Sequence, residues 1–142
     1  MASNLLHVFI DTDVCLDLLS GRKPFVRSAQ TLFSLAESEK IHASVSAISF
    51  ANIDYMLRSQ YSISQTRNIL SKFKTLVSVA NVDDKVIELA LTSSFKDFED
   101  ALQHYCALNV KAKHIITRNI KDYKKSEISV LTPESYLALY KQ

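Results

Sequence analysis

The sequence predicts an α/β fold with a mostly parallel sheet covered by helices on both faces. Three observations carry that expectation: short β-prone apolar runs, helical hydrophobic patterns between them, and a chain with one glycine and two prolines in 142 residues. With so few breakers there is no linker composition to divide the chain, and 47% hydrophobic residues suffice for one core, so residues 1–142 are expected to form one domain. No internal repeat is visible.

His7-Val8-Phe9-Ile10 reads as a strand running into Asp11-Thr12-Asp13, after which Val14, Leu16, Leu18 and Leu19 mark a helix ended by Ser20-Gly21. Phe25 to Glu39 reads as a second helix and Ile41 to Val45 as a second strand. Apolar residues at helical spacing follow over Ser46–Gln60 and Ser64–Lys74. Leu76-Val77-Ser78-Val79 reads as a strand, Asp83–Ser93 and Phe98–Asn109 as helices, and His114–Thr117 and Ile128–Leu131 as strands. A basic turn separates those last two strands, and Pro133 opens a final helix. In parallel sheets of this kind ligands bind beyond the carboxyl ends of the strands, where Asp11 and Asn119 fall.

The net charge of +2 is too small to argue for a nucleic-acid partner by itself, so clustering must decide. Met1 to Ile10 has no basic region followed by a long apolar run, which argues against a signal peptide, and no segment is long enough to span a membrane. Cys15 and Cys106 lie in apolar helical patterns without pairing or ligand spacing and read as core residues. A cytoplasmic protein is the expectation.

Several catalytic designs are missing: there is no Gly-rich phosphate loop, CxxC, HExxH or Gly-x-Ser-x-Gly. The remaining chemistry is acidic. Asp11 follows one strand, Asp97-Phe98-Glu99-Asp100 opens a helix, and Asn119-Ile120-Lys121-Asp122 follows another strand. Carboxylates brought together from three segments repel one another unless a cation lies between them, and hard oxygen ligands favour Mg²⁺ or Mn²⁺. Such an ion lowers the pKa of a water nucleophile and offsets charge on a phosphate, which is the equipment for phosphodiester hydrolysis.

Four stretches resemble the PIN-domain family, in particular the VapC-type toxins and their relatives. They are Val8–Leu19, Val45–Tyr55, Asp97–Gln103 and Ile116–Tyr123, in family order over nearly the whole chain. The resemblance implies a three-layer α/β/α fold, metal-dependent endoribonuclease activity, frequent homodimers and, for toxin members, an antitoxin partner. Carried over by position, Asp11 matches the first family acid, Asp100 the acid opening the later helix, and Asn119 and Asp122 the last motif. The second family acid, usually a glutamate, falls on Asn52, whose amide can coordinate through oxygen but brings no charge. That departure sustains an alternative, a non-catalytic PIN domain that binds RNA or a protein partner. An unrelated α/β binding protein whose acids only cap helices would instead keep Asp11 and Asp100 well apart.

Each residue also has a structural reading. Asp97 is expected to cap its helix, Asp13 to cap the first helix, and Asp17 to be solvated or to support a ligand. Asp97 and Glu99 are the residues that could make up for the charge missing at Asn52. Asp11 has no evident structural duty, so Asp11→Asn is expected to relieve repulsion without lowering the melting temperature. Asp122, amid Lys121, Lys124 and Lys125, is either an ion-pair partner or a ligand. Arg118 and those lysines, with Lys111 and Lys113 and with Arg22, Lys23 and Arg27 from the first loop, offer a phosphate track for RNA. Thr117 is placed to orient a ligand by its hydroxyl. Tyr123 reads as half-buried rather than as a base-stacking platform. His7, His42, His104 and His114 show no metal spacing.

Overall fold

The computed structural model describes residues 6–141; the first five positions of the Met1 to Ile10 reading lie outside the described residues. Five strands form one sheet in the order β3-β2-β1-β4-β5, with β1 (His7–Ile10), β2 (His42–Ser46), β3 (Ser78–Ala80), β4 (His114–Ile116) and β5 (Ser129–Leu131). All four pairings are parallel. The helices are α1 (Thr12–Leu19), α2 (Val26–Glu37), α3 (Ala47–Leu57), α4 (Ile63–Lys74), α5 (Asp84–Leu91), α6 (Phe98–Asn109) and α7 (Pro133–Tyr140). The expected basic turn is a short 3-10 turn at Ile120–Tyr123.

Alternation along β1 divides the interior. Val8 and Ile10 face a core built with Val14, Leu32, Phe33, Ile53, Leu57, Phe73 and Tyr136, whereas Phe9 faces Val86, Ala90, Ala101, Cys106 and Ile115. Helices α1, α2, α3, α4 and α7 therefore cover one face and α5 and α6 the other, giving three layers. All four residues of β1 are buried, as a central strand covered on both faces requires.

Local chemistry fixes the helix ends. Ser46, Ser62, Asp83, Asp97 and Thr132 each cap a helix through a side-chain oxygen, Ser62 within a capping box with Gln65, and Pro133 occupies the first turn of α7. Gly21, at φ +67°, turns the chain out of α1 while the Arg22 N–H closes on the Asp17 carbonyl at 3.1 Å. One strand begins later than expected. Leu76 and Val77 are drawn into the turn that ends α4, their N–H groups donating to Phe73 and Lys74 carbonyls at 2.9 and 3.5 Å, so β3 begins at Ser78.

Successive strands step outward from β1 to β3, then the chain crosses back and places β4 on the other side of β1. The direction of winding reverses between β1 and β4, where a crevice opens at the carboxyl ends. Ile10 pairs with Ile116, so Asp11 and Thr117 leave the sheet side by side, and the Asp11 N–H donates to the Ile116 carbonyl at 2.9 Å. Cys15 and Cys106 are buried free thiols. Among the described residues no helix is long and apolar enough to cross a membrane.

Candidate functional site

Asp11 stands one residue beyond β1 in extended conformation and is the N-cap of α1, its Oδ1 accepting the Thr12 N–H at 2.9 Å. The capping duty expected of Asp13 thus belongs to Asp11, which is not free of structural work. Gln103 Nε2 also donates to Asp11 Oδ1, at 3.2 Å, and the hydroxyls of Thr117 and Tyr123 donate to Oδ2 at 2.9 and 3.1 Å.

Asp13 lies in the first turn. Its Oδ1 accepts the Val14 N–H at 2.7 Å, and its Oδ2 accepts the Arg118 N–H at 3.0 Å and the Asn119 side-chain amide at 3.1 Å. Burial, with the Asp11 charge next in size, raises its pKa to about 6 despite these donors. Asp17, one turn further, is 1% exposed rather than solvated. It accepts from Arg118 Nε at 2.7 Å and Nη2 at 3.2 Å, and the same guanidinium lies 3.9 Å over the Phe25 ring. Arg118 is thereby committed to Asp17 inside the fold.

Across the crevice Asp97 caps α6, accepting the Asp100 N–H at 3.0 Å as its sequence position predicts. Asp100 is partly buried in the first turn of α6, and Asp122 and Glu99 are exposed. Burial raises the Asp100 pKa to about 7, assisted by the charges of Asp97, Asp11, Asp122 and Glu99 in that order. Acids from three distant segments therefore act on one carboxyl. They are near enough to repel, yet among the described residues no group of three or more His, Cys, Asp or Glu side chains is assembled to hold an ion. A cation such as Mg²⁺ that keeps several waters needs only one or two carboxylates, so the donor chemistry of Asp11 and Asp100 fits it.

A cavity of about 220 Å³ adjoins Asp100, lined by Phe95, Asp97 and Asp122 and by Lys96, Lys121, Lys124 and Lys125. The expected basic run divides here. Lys121, Lys124 and Lys125 stand at the acidic rim, whereas Lys111 and Lys113 precede β4, at the opposite end of the sheet. Arg22 lines a separate groove with Tyr55 and Arg58. Asn52 is half-buried on α3, one turn beyond Ser49.

Residues missed by sequence reasoning close the site from within. Gln103, 1% exposed, donates through Nε2 to Ser49 Oγ at 2.9 Å and Thr12 Oγ1 at 3.4 Å, and Thr12 and Ser49 share a 2.7 Å hydrogen bond. A signal was present. Gln103 is a polar residue within the apolar run Ala101, Leu102, Cys106 and Ala107, one turn from Asp100. Tyr123 is 2% exposed, and its hydroxyl serves Asp11 rather than offering its ring to a base. The histidines lie elsewhere: His7 and His42 stack at 4.1 Å near the amino end of the sheet, and His104 accepts the Glu127 N–H at 3.0 Å.

Solved structures share this architecture. A toxin–antitoxin complex from Klebsiella pneumoniae is similar at a TM-score of 0.67 and 25% identity, over 89% of this chain and 97% of that one. DNA-bound VapBC from Salmonella typhimurium gives 0.68 at 17% identity, over 90% and 98%. VapC20 from Mycobacterium tuberculosis, a sarcin-ricin loop cleaving toxin, gives 0.60 at 16% identity, over 76% and 86%. Comparison with curated protein sequences gives no match. The sequence profile of the PIN domain matches residues 7–121, about four-fifths of the chain and all of the site's strands but β5; the chain belongs to the PIN-domain family, whose members are typically nucleases.

Proposed function

We propose that the chain is a Mg²⁺- or Mn²⁺-dependent endoribonuclease and the toxin half of a toxin–antitoxin pair. The observation that carries this reading is the electrostatic convergence of Asp11, Asp97, Asp122 and Glu99 on Asp100 at the switch point of a parallel sheet. The likeness to toxin–antitoxin complexes supports an antitoxin partner.

In this reading Asp11 and Asp100 hold the ion, with Asp122 at the exposed lip and Asn119 offering its side-chain oxygen while its amide N–H stays on Asp13. The bound cation supplies the charge that activates water and offsets the negative charge developing on a phosphodiester. Thr117 and the backbone cap keep the Asp11 carboxylate oriented. Lys121, Lys124 and Lys125, at the rim of the cavity beside Asp100, bind the phosphates of the RNA on either side of the cut.

Asp11→Asn tests the reading directly. It abolishes Mn²⁺-dependent RNA cleavage while far-UV circular dichroism remains that of the folded chain; undiminished cleavage removes Asp11 from the mechanism. Because the amide nitrogen replaces one carboxylate oxygen and faces the two donors on that side, this variant is less stable than the parent, by about 1 kcal/mol, rather than more stable. Asn52, standing where the family carries an acid, favours a second reading, a PIN domain that binds RNA or protein without cutting. Calorimetric titration with Mn²⁺ separates the two: micromolar binding supports the nuclease, and no binding supports the binding module.

A further inference from the structure

A carboxylate offers about four lone-pair directions to donors. At Asp11 protein groups fill all four: the Thr12 N–H and Gln103 Nε2 on Oδ1, and the Thr117 and Tyr123 hydroxyls on Oδ2. A cation that binds Asp11 must therefore take the place of one donor. The geometry points to Tyr123 as that donor, so that its hydroxyl is a resident competitor for the cation and sets how tightly the site binds it. This inference rests on the proposed metal-dependent reading and adds the residue that tunes it.

The other three donors are poorly placed to yield. The Thr12 N–H belongs to the capped first turn of α1, and withdrawing it unwinds the cap. Gln103 approaches from the buried side, where Ser49 at 2.9 Å fixes its amide. Thr117 is anchored where β4 ends: its N–H is bonded to the Leu131 carbonyl at 2.9 Å, and its oxygen accepts the Asn119 N–H at 3.1 Å.

Tyr123 differs in its attachment. It ends a four-residue 3-10 turn at the rim of the crevice, between exposed Asp122 and exposed Lys124. Its ring is held edge-on by Phe95, centroids 6.4 Å apart, and Phe95 lines the cavity beside Asp100. Burial, and after it the charges of Asp11 and Asp100, drive the pKa of its hydroxyl up. The Tyr123 hydroxyl and an ion held by Asp11 contend for the same carboxylate oxygen, Oδ2.

The test is calorimetric titration of Mn²⁺ into the full chain and its Tyr123→Phe variant, which keeps the ring and removes only the hydroxyl. A hydrogen bond to a charged group is worth enough that its loss tightens Mn²⁺ binding about tenfold. Affinity equal to or weaker than that of the parent overturns the inference, since a purely structural Tyr123 would give that result. Tyr123→Met is titrated in parallel with the same expectation, so that a misfolded phenylalanine variant does not end the test. Asp11→Asn in the same series separates the two levels. If it binds Mn²⁺ as the parent does, the metal-dependent reading fails and the inference with it. If it loses binding while Tyr123→Phe gains none, only the inference fails.

Discussion

On the β1 side of the crevice Asp11 receives four donors and Asp13 three short ones, and Asp17 is paired to a guanidinium. On the α6 side, among the described residues, no hydrogen bond reaches the Asp100 carboxylate, and burial and neighbouring acids hold its pKa near 7. The first wall is built into the fold by contacts that cross the chain, whereas the second stores like-charge repulsion. Carboxylates on the first wall are thus expensive to remove, and the one on the second is expensive to keep charged.

The largest break comes from Arg118→Leu, which leaves Asp17 charged, 1% exposed and unpartnered. The expected loss is about 3 kcal/mol or more, read from urea denaturation. A loss below about 1 kcal/mol would show that the pair is not structural. Next is Gln103→Leu, which strips donors from Asp11, Thr12 and Ser49 together and costs about 1–3 kcal/mol in the same measurement.

Asp100→Asn acts in the opposite direction, and its sign depends on pH. The folded chain keeps a proton on Asp100 up to about pH 7, while the unfolded chain releases it near 3.8. Between these values the folded state binds more protons, so this group lowers stability as pH rises through the window. In chelator the asparagine variant therefore melts with the parent near pH 4 and a few degrees above it at pH 8, a modest gain because water screens a half-exposed carboxyl. Added Mn²⁺ raises the parent's melting temperature and not the variant's. Equal melting at pH 8 would mean the second wall stores no repulsion.

The smallest effect on stability is expected of Lys121→Ala, Lys124→Ala and Lys125→Ala, each within about 0.5 kcal/mol of the parent. Their effect belongs to binding. Each lowers the salt dependence of RNA affinity by about 0.7 in the log–log slope, whereas Lys111→Ala, at the far end of the sheet, leaves it unchanged.

The same division explains what could be read from residues alone. Strands β1, β4 and β5, the cap Asp97 and the helix-opening Pro133 were legible because short apolar β-prone runs and helix-start chemistry are local signals. The Leu76–Val77 error arose because a strand-like run and a helix-ending turn compete for the same residues, and the turn's hydrogen bonds to the Phe73 and Lys74 carbonyls took them. The places of Asp11 beyond β1 and of Asp97 and Asp100 at the start of α6 were legible from the order of elements. The Gln103 to Ser49 bond was not, because it joins residues 54 apart in the chain and depends on how α3 and α6 meet. The Asp17 to Arg118 pair was hidden for the same reason, at a separation of 101 residues.

Those separations bear on the order of assembly. Thr117 and Asp11 are 106 residues apart, and Tyr123 and Asp11 are 112 apart, so the carboxylate gains its last two donors only after most of the chain has closed on itself. A growing chain that ends before β4 has β1 exposed along one edge and Asp11 without either hydroxyl. Full dressing of the first acid is thus a late event in synthesis, and a prematurely ended product would present an unpaired strand edge where the finished protein presents its crevice.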